Sequence, residues 1–85
     1  MSDAAKPLPS PMILSHGPDA RELSTVQDVL DALTLMWPEE ARGPRHRDAV
    51  ETCLKVLDGH RSAADAVMAL QAAAQEAGLR LDQAE

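Results

Sequence analysis

The sequence predicts an α+β fold: an N-terminal β-hairpin followed by three packed α-helices. Apolar residues recur at three- and four-residue spacing in three successive segments. Upstream of them, Ser15-His16-Gly17-Pro18-Asp19 places turn chemistry between two short runs. Gly and Pro then punctuate the helical segments, with Pro38, Gly43-Pro44, Gly59 and Gly78 at their borders.

Residues 1–11 carry Pro7, Pro9 and Pro11 among small and polar residues and show no periodicity. They are expected to form a disordered or extended arm. A proline-rich ligand for a partner domain is the functional alternative, on a stretch too short to favour it. The folded domain is expected over 12–81. Its hairpin pairs residues 12–16 with 20–23 and must pack on the helices, because an isolated hairpin is marginal in water.

The first helix is expected over 24–38. Val26, Val29, Leu30, Leu33, Met36 and Trp37 form its apolar face, and Gln27, Asp28, Asp31 and Thr34 lie opposite. Ser24 with Gln27 three residues on has the capping-box spacing. Pro38 ends the helix by pushing the residue before it out of the α region.

Gly43-Pro44 suits the entrance of the second helix, since a proline in the first turn removes only an unpaired donor. Ala49, Val50, Cys53, Leu54 and Leu57 make its apolar stripe. Arg47, Glu51 and Lys55 lie opposite at favourable spacing, and Gly59 fits a left-handed C-cap. Ser62 opens the third helix with Asp65 three residues on. Its buried face is Ala63, Ala66, Val67, Leu70, Ala73, Ala74 and Ala77. Gly78 closes it, Leu79 and Leu81 supply the apolar contact of a Schellman cap, and residues 82–85 are expected to fray.

An 85-residue chain that is 45% hydrophobic but 1% aromatic can build only a thin core. A net stability of ~3–5 kcal/mol is the scale for such a domain. The net charge of -6 disfavours general nucleic-acid binding and attachment to an anionic membrane. A single cysteine forms no internal disulfide, and no apolar run reaches membrane-spanning length or resembles a signal peptide. The expected location is the cytoplasm.

The ordered landmarks Trp37-Pro38, Gly43, Ala49, Cys53, Gly59 and Ala73-Ala74-Gln75-Glu76-Ala77-Gly78 resemble domain of unknown function family 982 (DUF982). This is a group of short, mostly alpha-proteobacterial proteins. The resemblance covers about residues 12–79. It implies a β-hairpin followed by helices, and it implies no catalytic activity. Ala66-Val67 stands where the family usually has Ala-Arg, so a role for that arginine does not carry over. Leu70 stands where an aromatic residue is usual.

Arg42, Arg45, His46 and Arg47 concentrate positive charge near the start of the second helix, where they oppose the helix dipole. They are the candidate anion site, holding a phosphate, nucleotide or acidic partner. The plainer expectation is that Glu39 and Glu40 offset them. Trp37, Met12 and Met36 are the candidate interface residues, weighed against simple core filling. Cys53 lies on an apolar stripe and reads as a buried, protonated thiol. His46 precedes it by two turns of helix, about 10 Å, too far for a catalytic dyad. His16, His46 and His60 lack metal-site spacing; His60 instead suits the negative end of the second helix. No catalytic constellation is present, so no metal, no cofactor and no catalytic residue is expected.

The function expected from these residues is a non-enzymatic protein-interaction or regulatory module, in one form a homodimer. The alternative is an anion- or nucleotide-binding protein, or a small enzyme, built on the basic cluster. A nucleic-acid binder ranks third.

Overall fold

The computed structural model describes residues 6–84. The fold is α+β: a three-stranded antiparallel sheet on one side and three helices on the other. Strand β1 (Pro7–His16) is central, paired with β2 (Asp19–Thr25) and with β3 (Arg80–Gln83). The β1–β2 turn puts Gly17 at its first position with φ +61°, which glycine adopts without steric cost. Leu8, Met12 and Leu14 of β1 and Leu23 of β2 turn one face of the sheet into the molecule.

The hairpin is longer than the sequence predicts, and residues 7–11 of the expected arm are strand. Leu8 is buried against the core cluster, and the Val26 N–H donates to the Lys6 carbonyl at 2.7 Å. Prolines in a central strand withhold donors, and the register shifts between Pro7 and Met12, where they are concentrated. Residues 1–5 of the expected arm lie outside the described residues.

The expected fray at 82–85 is likewise replaced, in its described part, by β3. Leu14 faces Leu81 across the β1–β3 pair, and the Ala84 N–H donates to the Pro11 carbonyl at 3.0 Å. Gly78, at φ +72°, reverses the chain out of the last helix. The Gly78 and Leu79 N–H groups donate to Gln75 and Ala74, the hydrogen bonds of a Schellman cap.

The cap of helix α1 (Val26–Asp31) lies one residue later than predicted. Thr25, not Ser24, is the cap: its hydroxyl accepts from the Asp28 N–H at 3.1 Å. The Asp28 carboxylate accepts in return from Ser24 and Thr25 N–H groups at 2.9 and 3.2 Å. Gln27 is instead engaged with Asp31. The three-residue spacing fits both pairs, and a carboxylate accepting two backbone donors is the stronger cap.

Beyond Asp31 the helix widens into a π-helical segment, Ala32–Met36, and Trp37 turns extended before Pro38. After a short 3₁₀ turn, Glu39–Ala41, come helix α2 (Pro44–Leu57) and helix α3 (Ala63–Ala77). Ser62 is the cap of α3 as expected, and Asp65, expected there for the helix dipole, also completes a capping box with it. The α2 stripe is rotated from its predicted position: Ala49, Thr52, Cys53 and Val56 are buried, while Leu54 is 49% exposed. These four follow i, i+3, i+4, i+7, one ridge that meets α3 and the π-helical segment at once.

Candidate functional site

The predicted basic cluster lies where three helix ends meet. Gly43 enters α2 in an extended conformation and has no side chain with which to cap it. Glu76, from the last turn of α3, supplies the missing cap. Its two carboxylate oxygens accept from the Arg45 and His46 N–H groups, each at 3.3 Å. A Cβ at position 43 would lie 2.8 Å from the carboxylate atoms, so glycine leaves the room that this approach requires. An acidic residue in the last turn opposes the dipole of its own helix, α3, and here complements that of α2.

Two side chains of the cluster serve the opposite polarity. The Arg42 Nη2 donates to the Thr34 carbonyl at 3.2 Å and to the Trp37 carbonyl at 3.1 Å. The His46 Nε2 lies 2.7 Å from the Leu33 carbonyl. A carbonyl only accepts, so Nε2 is the donor in this contact. Both groups satisfy carbonyls at the end of the π-helical segment, where no continuing helix can.

The expectation that Glu39 and Glu40 offset the arginines is therefore corrected. Neither forms an ion pair among the described residues, where Arg61–Asp65 and Arg80–Asp82 are the pairs present. The carboxylate at this helix start is that of Glu76, which accepts from backbone N–H groups and lies thirty residues or more away in sequence from the groups it caps. Its position at a helix C-terminus was the one signal in the sequence. Arg45 and Arg47 project from the exposed side of α2.

The interface candidates fall elsewhere. Trp37 is 3% exposed and belongs to the core cluster; Met12 is buried in the sheet beside its register partner Leu23. Met36 is half-buried against the core. The Trp37 ring leans on His46, with centroids 5.8 Å apart and planes at 44°. Its Nε1–H is buried and makes no hydrogen bond among the described residues. Among the described residues the large apolar side chains that are exposed are Leu35, Leu54 and Met68.

Cys53 is fully buried, and burial pushes its thiol up to about 11. It is therefore protonated near neutral pH, a poor nucleophile and a poor metal ligand. His60 is exposed at the α2 C-terminus, where its backbone N–H donates to the Lys55 carbonyl at 2.8 Å. Among the described residues no three His, Cys, Asp or Glu side chains gather to hold a metal ion. Among them, too, no helix is long and apolar enough to cross a membrane.

The outer side of the α2–α3 pair carries a groove. A hollow of about 300 Å³ lies between Asp48 and Thr52 of α2 and Met68, Ala69 and Ala72 of α3. Arg61 and Asp65 close one end. At the other, Arg45 and Ala72 lead into a second hollow of about 340 Å³ beside Gln75 and Glu76. Met68 stands 66% exposed on the rim. Ala69 and Ala72 lie outside the buried face predicted for α3, and they wall this groove.

No curated protein and no solved structure matches the chain. A family profile described as "Protein of unknown function (DUF982)" matches residues 10–81, from within β1 through β3's Leu81. That span takes in all three helices and the junction of their ends, and the chain belongs to the DUF982 family.

Proposed function

We propose that the protein is a small non-enzymatic interaction or regulatory module of the bacterial cytoplasm, with the groove between α2 and α3 as its docking surface. The observation that carries this reading is Met68. A flexible thioether side chain, 66% exposed, stands beside a hollow walled by Ala69 and Ala72. Methionine is suited to adaptable protein contacts, and small walls admit a partner's side chain. The helix-end junction supports the same reading. Arg42 and His46 are engaged with carbonyls, and Glu76 already occupies the α2 N-terminus. The anion- or nucleotide-binding alternative would have to displace these contacts.

A photoreactive residue placed at position 68 in the producing cell tests the proposal. It is expected to give discrete protein adducts, of one or a few masses. The same residue at Gln71, which is exposed on α3 but does not line the groove, serves as control. Equal, diffuse labelling at 68 and 71, or no protein adduct at 68, overturns the reading.

A further inference from the structure

We infer that the occupant of the α2–α3 groove is a second copy of this chain, docked antiparallel about a two-fold axis near residue 70. This rests on the groove being a docking surface. What points to a second copy is that knob and hollow lie on one stripe of one helix. Met68 projects from α3, and Ala72, one turn on, walls the hollow beside it. A two-fold axis near residue 70 places Met68 of each protomer over Ala72 of its partner. An isologous interface has this property, that one patch fits itself.

The charges at the two ends agree with that orientation. Arg61 and Asp65 stand at one end of the groove, Arg45 and Glu76 at the other. Antiparallel docking brings the Arg61 and Asp65 end of one protomer to the Arg45 and Glu76 end of its partner, with one cation and one carboxylate on each side. Parallel docking would superpose each residue on its own like charge. The whole chain carries -6, which opposes association of two copies. Along the groove Arg45 and Arg61 balance two of the three carboxylates of Asp48, Asp65 and Glu76, so this face is nearly neutral.

Self-pairing predicts an exchange that a different partner would not tolerate. Because 68 meets 72 and 72 meets 68 across the axis, moving the methionine from one position to the other preserves the fit. Sedimentation equilibrium over a wide concentration range is the readout, with circular dichroism to verify that each variant is folded. The wild-type chain is expected to show a monomer–dimer equilibrium. Met68→Ala should raise the dissociation constant about tenfold or more, as for a central interface side chain. Adding Ala72→Met to it should restore most of the loss. A wild-type chain monomeric at every concentration overturns the dimer, as does a Met68→Ala chain that associates unchanged. Failure of Ala72→Met to restore association also overturns this register. Adducts of the residue-68 probe with other proteins, alongside a monomeric chain, would keep the groove as a docking surface and remove only the second copy.

Discussion

Glu76 and Gly43 form a contact that neither residue explains alone. The carboxylate takes over the two donors that an N-cap side chain would ordinarily satisfy, and the absent Cβ lets it reach them. Gly43→Ala and Glu76→Gln should each cost about 1 kcal/mol, the ordinary worth of a cap. Because both changes break one contact, the double variant should cost little more than either single one. Urea denaturation of the four proteins checks this; simple additivity would mean that the two residues act separately. Cys53 makes a second residue-scale prediction. With the side chain fully buried and the thiol raised to about 11, a thiol reagent near pH 8 should label native protein far more slowly than unfolded protein. Equal rates in the two states would place Cys53 at the surface.

At the scale of the element, two helices open on capping boxes of their own and one borrows its cap. Helix α1 uses Thr25 and Asp28, α3 uses Ser62 and Asp65, and α2 borrows Glu76 from its neighbour. The Ser24 N–H, with the Thr25 N–H and hydroxyl, holds the Asp28 carboxyl below its ordinary value of 3.8. Its folded pKa lies below its unfolded one, so its stabilising effect is complete above the unfolded value. That effect is lost as pH falls through the lower, folded value. Asp28→Asn should therefore cost about 1 kcal/mol near neutral pH, and the gap from the wild-type chain should narrow on acidification. Denaturant titrations near neutral pH and below pH ~3 measure the two gaps. A gap that widens in acid would contradict the assignment of the cap.

For the whole molecule, stability rests on a thin layer between sheet and helices. Leu14 and Leu23 come from the sheet, and Val29, Leu33, Val56 and Leu70 come from the helices; all are fully buried. Leu33 and Leu35 are two residues apart, yet one is fully buried and the other 78% exposed. Leu33→Ala should cost roughly 2–5 kcal/mol, enough to unfold much of so small a domain. Leu35→Ala should stay within about 0.5 kcal/mol. Thermal or urea unfolding of both decides it, and comparable losses would mean that the π-helical segment faces the core differently.

The sequence by itself determined the hairpin, the three helices, the Gly43-Pro44 entrance, the Ser62 cap and the Gly78 stop. These depend on neighbours within a turn or two of chain, where spacing and propensity act directly. It also placed Cys53 and the α3 alanines in the core, because helical periodicity marks a face. Only the tertiary structure decided what that periodicity leaves open. Leu54 and Val56 exchanged places because α2 rotates to serve two neighbours at once. Strand β3 exists because Leu14 offers Leu81 a partner, although alternation of Leu79 and Leu81 hinted at it. The basic cluster was legible as a site of unusual charge but not as a joint between helix ends. The Glu76 carboxylate that completes it comes from the far end of the next helix, and helix packing alone brings it to α2.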